Sequence, residues 1–166
     1  MYPNMKTQIY VAAFALMLAY SQAFAGGASL PACLSDSGED LAVNNEQVLQ
    51  WKISTPNQTL ERAHVSGAFV QSYPDETGHN HFEIQIGPDS GDTLEVVSNI
   101  EFGALPELSP GDVIEACGDY ITSDAATSQY PISPDDAIIH WIHQNPSGKG
   151  HPSGFLAING VLYGWK

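Results

Sequence analysis

His81-Phe82-Glu83-Ile84-Gln85-Ile86, followed by Gly87-Pro88-Asp89-Ser90-Gly91, is the stretch on which the fold turns. Phe82, Ile84 and Ile86 alternate with His81, Glu83 and Gln85. A period of two places apolar side chains on one face of a strand and polar ones on the other. The Pro-Asp-Ser-Gly run then has the chemistry of a turn, so the chain doubles back into Thr93-Leu94-Glu95-Val96-Val97. Working outward, short apolar runs separated by turn residues place strands near residues 64–72, 80–87, 92–99, 111–121 and 136–143. Pro74-Asp75-Glu76-Thr77-Gly78 links the first two. Gly67 and Gly118 fall inside strands, where a missing side chain permits the coiling of a small closed barrel. Five strands, with longer excursions after the third and the fourth, predict a mainly β fold: a small closed antiparallel barrel, OB-fold-like.

Two elements flank the barrel. Asn44 or Asn45 caps a short N-terminal helix running to about Ile53, with Val48, Leu49 and Trp51 as its apolar stripe and Ser54-Thr55-Pro56 as its end. Near the C-terminus, Asn159-Gly160 between Leu156-Ala157-Ile158 and Val161-Leu162-Tyr163 predicts a β-hairpin with a primed turn, added to the barrel as a ribbon.

The chain begins with Lys6, an apolar run from Ile9 to Tyr20 and Ala23-Phe24-Ala25, the layout of a secretory signal peptide over residues 1–25. Residues 26–43 read as an irregular lead-in and residues 44–166 as one barrel domain. Export to the periplasm or the extracellular space is expected. Cys33 also permits a lipoprotein reading, weakened by the polar stretch that separates it from the apolar run. No second run is long enough to span a membrane. The whole chain has a net charge of −14 at pH 7, one unit more negative once Lys6 is removed. Lys52, Arg62, Lys149 and Lys166 are scattered singly, so a phosphate-tracking surface for nucleic acid is disfavoured. A monomer is expected. Cys33 and Cys117 are the two cysteines, and in an oxidising compartment they predict a disulfide, with two free thiols as the alternative.

The candidate site is Ile138-Ile139-His140-Trp141-Ile142-His143-Gln144-Asn145-Pro146-Ser147-Gly148-Lys149-Gly150-His151. Its first half reads as a strand and Asn145-Pro146-Ser147-Gly148 as a turn, so His143 emerges where a strand runs into a loop. Strand alternation puts Ile138, His140 and Ile142 on one face and Ile139, Trp141 and His143 on the other. A joint role for His140 and His143 therefore requires the strand to bulge or end near Trp141. Otherwise His140 is a hydrogen-bonded core residue and His143 and His151 are solvated loop residues.

The motifs Val65–Val70, Asp75–Phe82, Asp92–Ile100, Pro110–Tyr120 and His140–Pro146, closing with His151-Pro152 and Gly154, resemble the bacterial family called domain of unknown function 3465. That family comprises small exported proteins with a late signature close to H-W-T-H-x-D-P followed by another His. The resemblance spans roughly residues 44–165 and carries no assigned activity. His79, Asn99, His140, Trp141, His143, Pro146 and His151 fall on the family pattern. Ser98 and Asn145 depart from its usual His and Asp, and the stretch from Thr122 to Asp136 is longer than usual.

Two functions follow from these residues. One is a divalent-metal site, zinc first, with His79, His143 and His151 as ligands and His140 or His81 as a further ligand or partner. His143 and His140 would then be catalytic in a hydrolysis, of the phosphodiester type for instance, through metal-bound water or as a metal-free acid–base pair. The spacing matches no zinc motif. The other is a non-catalytic module binding a peptide, saccharide or protein, with Trp141, Asn99, Tyr73 and Tyr130 in contact.

Overall fold

A computed structural model describes residues 29–165, so the expected signal peptide over residues 1–25 lies outside the described residues. After a lead-in containing one short bridge between Leu34 and Asp40, helix α1 runs Asn45–Ser54. Asn44 caps it, its side-chain oxygen accepting from the Gln47 amide, and Thr55 before Pro56 ends it. Asn45 takes a different part: its amide donates to the carbonyls of Ser66 and Ile86, tying the helix start to the barrel. Val48 is buried in the core while Leu49 and Trp51 pack against it, Trp51 lying 5.3 Å from the ring of buried Tyr120. The helix thereby closes one end of the barrel.

The strands are β1 (Leu60–Ser72), β2 (His79–Gln85), β3 (Thr93–Asn99), β4 (Val113–Thr122), β5 (Ala137–His140), β6 (Phe155–Ile158) and β7 (Val161–Tyr163). β1 is long enough to serve two partners. Leu60–Ala68 pairs with β4 and Ala68–Ser72 with β2, with a register shift between Phe69 and Gln71. β2 pairs with β3, β3 with β5 and β5 with β4, which closes a five-stranded barrel. Four seams are antiparallel, and the β3–β5 seam is parallel, with Glu95 opposite Ile138 and Val96 opposite Ile139. β6 extends the other half of β4, and the β6–β7 hairpin turns at Asn159 and Gly160, both at positive φ as a primed turn requires. Gly67 and Gly118 sit where a Cβ would collide with the carbonyl oxygens of Gln85 and His140. Close backbone approach is what demands glycine there.

The interior is filled by alternate residues of every strand, among them Val65, Phe69, Phe82, Ile84, Leu94, Val96, Ile114, Ala116 and Ile139. A second, smaller cluster lies outside β4, where the Cys33–Cys117 disulfide is buried with Phe155. Bonded cysteines fit an exported protein. Among the described residues no helix is long and apolar enough to cross a membrane. Arg62 is buried beside the disulfide and binds Asp119 at 2.8 Å, the Leu34 carbonyl at 3.0 Å and the Ser153 carbonyl at 2.6 Å. It thus joins the lead-in, β4 and the segment preceding β6.

The outer face of β2 and β3 is polar yet covered. Glu83 and Glu95 stand opposite each other across the two strands and are buried under the connection from β4 to β5. Ser133 donates to Glu95, and the Tyr73 hydroxyl lies 3.1 Å from Glu83 and 3.0 Å from Asp135, so one phenolic proton faces two carboxylates. Burial raises the Asp135 pKa, against hydrogen bonds from Thr93 and Tyr73, with Glu83 adding to the rise and Lys52 opposing it.

Two measurements test this architecture. Replacing Cys33 by Ser opens a loop with a sequence separation of 84; a loss of roughly 4 kcal/mol in denaturant unfolding is expected on the chain-entropy account, and an unchanged midpoint contradicts it. A carboxyl with a raised folded pKa stabilises below its unfolded value and loses that contribution as pH rises through the folded one. Asp135→Asn is therefore expected to be more stable than the parent at neutral pH, with the gap closing as pH falls toward the ordinary carboxylate range. A gap that widens in acid contradicts the assignment.

Candidate functional site

β5 stops at His140 because the backbone turns at Trp141, whose φ of +51° is a left-handed conformation unusual for a bulky side chain. Alternation past His140 is lost at this point. Ile142 does not share the outward face of His140, as an unbroken strand would require; it enters the core, while Trp141 stays half-buried outside it. The turn is the break that a joint role for His140 and His143 needs.

Around Trp141 the rings touch in sequence. His79, at the start of β2, lies 5.2 Å from His140 between centroids, and His140 lies 5.0 Å from Trp141. Trp141 stacks at 5.5 Å on His151, which meets His143 edge-on at 5.3 Å. His143 in turn lies flat against Phe102 at 3.6 Å. Of the three expected ligands, the fold pairs His143 with His151, while His79 pairs with His140. Among the described residues no group of three or more His, Cys, Asp or Glu side chains is set to hold a metal ion.

The four rings share one hydrogen-bonding arrangement. Nδ1 of His79 donates to the Thr77 carbonyl (3.0 Å), that of His140 to Val97 (3.0 Å), that of His143 to Gln144 (2.9 Å) and that of His151 to Pro152 (2.8 Å). A carbonyl oxygen only accepts, so each Nδ1 carries the proton and, in the neutral ring, Nε2 keeps its lone pair. Burial lowers the pKa of His140, and the neighbouring His79, His143 and His151 lower it further against the Val97 carbonyl. Burial lowers that of His143 too, with His151 adding and the Gln144 carbonyl opposing. In both, the surroundings favour the neutral ring.

His81 is differently placed. Its Nδ1 meets the Glu95 carboxylate at 2.6 Å, which raises its pKa against the effect of burial. His64 lies apart, held between the Leu41 carbonyl and Glu115. Asn99 caps the 3₁₀ turn Ile100–Phe102 through the Glu101 amide and stands opposite His79 in the β2–β3 register. Tyr73 is engaged by Glu83 and Asp135, while Tyr130 is exposed.

The loop carrying His151 is shaped by Asn145, whose amide donates to the carbonyls of Lys149 and His151 and whose oxygen accepts from Ser147. A carboxylate has no proton for those two carbonyls. Sequence reasoning missed three supports of this site. Phe102 lies far away in the chain with no local signal, and Arg62 looked like one scattered charge. Gly154 sits where a Cβ would strike the carbonyl oxygens of Trp141 and Cys117.

Compared with known proteins, the sequence matches no family model and no curated protein.

Gly154→Ala is expected to destabilise by roughly 1–3 kcal/mol through overpacking and to move the ring resonances of His143 and His151. A thermal melt and a histidine NMR spectrum check this, and a variant indistinguishable from the parent in both contradicts the packing account.

Proposed function

We propose that the rim around Trp141 takes up a divalent transition-metal ion, zinc first, and that the protein is a metal-dependent hydrolase. The observation that carries this reading is the shared orientation of His79, His140, His143 and His151. Each is held through Nδ1 by a backbone carbonyl, which is how metal-ligating histidines are ordinarily oriented and which leaves Nε2 free to ligate. Spacing supports it as well: two imidazoles on one tetrahedral zinc, at about 2.0–2.1 Å per bond, have ring centroids about 5 Å apart, and the pairs stand at 5.2 and 5.3 Å. His143 and His151 are the proposed ligands, and the remaining positions are left to water.

Neutral rings suit the part. The lowered pKa values of His140 and His143 keep protons from competing with a cation. An acidic chain draws cations toward it. Fewer than four protein ligands leave a position for water, which a bound zinc ion acidifies to a pKa of about 7. Trp141, half-buried between the pairs, limits water and orients His140 and His151 by contact. His81 is clamped by Glu95 through Nδ1 and lies 6.3 Å from His79.

Purified protein titrated with zinc is expected to bind one equivalent and to gain about 2.7 kcal/mol of stability at a hundredfold excess over Kd. His143→Ala and His151→Ala should lose uptake with little change in apo stability, since a rim residue leaves no large cavity. His64→Ala should bind like the parent. If no stoichiometric zinc binds and neither zinc nor chelator moves the melting temperature, the rim is not a metal site and the non-catalytic binding module takes its place.

A further inference from the structure

Beside the histidine rim, a cleft of about 570 Å³ opens between the β1–β2 end of the barrel and the chain that follows the 3₁₀ turn. That volume is in the range of small-ligand sites. Its apolar surface includes Phe82, Ile100, Leu105 and Leu108, of which Leu105 and Leu108 pack against the core and Ile100 is exposed. Two exposed carboxylates, Asp75 and Glu107, line it, each contributed by a different loop. No Lys or Arg lines it. Elsewhere, Arg62 is buried in its pair with Asp119 and Lys52 donates to the carbonyls of Gly91 and Thr93. Asn80 steadies Asp75, its amide donating to the carboxylate at 3.1 Å.

An anion entering this cleft meets like charge with no Lys or Arg to offset it, and His81 is already paired with Glu95. A purely apolar ligand leaves both carboxylates without an oppositely charged partner. A cation on an aliphatic stem satisfies both features. We propose that the cleft binds a peptide segment in which a lysine or arginine stands beside an aliphatic residue, the cation between Asp75 and Glu107 and the aliphatic side chain on Leu105 and Leu108. A peptide, rather than a free amine, fits because Leu105 and Leu108 lie on the same segment as Glu107 while Asp75 lines the cleft from the β1–β2 loop, so a cationic side chain and an aliphatic neighbour reach acid and apolar wall at once. The site is independent of metal. It also bears on the rim, since His81 belongs to the cleft lining, and a bound peptide would lie within reach of the histidines.

The test uses the isotope-labelled full chain in the presence of a chelator, titrated with N-acetyl-Leu-Lys-Leu-amide and followed by backbone amide shifts. Saturable shifts at Asn80, Leu105 and Leu108 are expected, weakening with added salt. Replacing lysine by norleucine in the peptide, or combining Asp75→Asn with Glu107→Gln in the protein, should each weaken binding about fivefold, the effect of two exposed ion pairs. Shifts that do not saturate at millimolar peptide, a norleucine peptide that binds equally, or n-butylamine that binds as well as the peptide would each overturn the proposal. Because a chelator is present, failure here leaves the zinc titration untouched, and failure of the zinc titration leaves this result standing.

Discussion

The parallel pairing of β3 with the four-residue β5 is the interaction on which the rest of the molecule depends. Without it β5–β4–β1–β2–β3 is an open sheet with β3 and β5 at its edges. With it the sheet closes and its inner face becomes one interior. The seam is short because Trp141 leaves the strand conformation immediately after His140. One local event therefore ends the barrel closure and begins the candidate site. Left-handed backbone at a bulky residue costs on the order of 1–3 kcal/mol and persists only where surrounding structure over-determines it. Here Ile142 in the core, Gly118 and Gly154 beneath the turn and Arg62 on Ser153 supply that determination.

Charge is handled in two ways. Most of the acidic excess is solvated, but Glu83, Glu95, Asp119 and Asp135 are buried, and each has partners. Asp119 has a guanidinium, Glu95 has His81 and Ser133, and Glu83 has Gln71 and Tyr73. Asp135 shares the Tyr73 hydroxyl with Glu83. Partnered carboxylates hold the β4–β5 connection over the β2–β3 face, which in OB-like barrels is a frequent ligand surface. Covering that face leaves the cleft by β2 open beside it.

Local pattern made much of this legible. Alternation at Phe82, Ile84 and Ile86 identified β2, Asn159-Gly160 identified the last hairpin, and Asn44 or Asn45 before Val48 marked the helix start, with the cap falling to Asn44. In each case neighbours in sequence are neighbours in space, so propensity and turn chemistry suffice. The boundaries of β5 were read too long, because Ile142 carries the same apolar signal whether it continues a strand or turns into the core from the other side. The disulfide was legible from compartment and count, since two cysteines leave one pairing.

The sequence by itself determined the element types, the closed five-stranded barrel, the flanking helix and hairpin, and which histidines are candidates. Only the tertiary structure decided how those histidines group. His79 belongs with His140 and His143 with His151, because strand register sets the first pair and the loop held by Asn145 sets the second. It also decided that each ring meets a backbone carbonyl through Nδ1 and that Phe102 lies beneath His143. Those contacts join residues distant in the chain, and their geometry follows from barrel closure and close backbone packing, which no local window of sequence encodes.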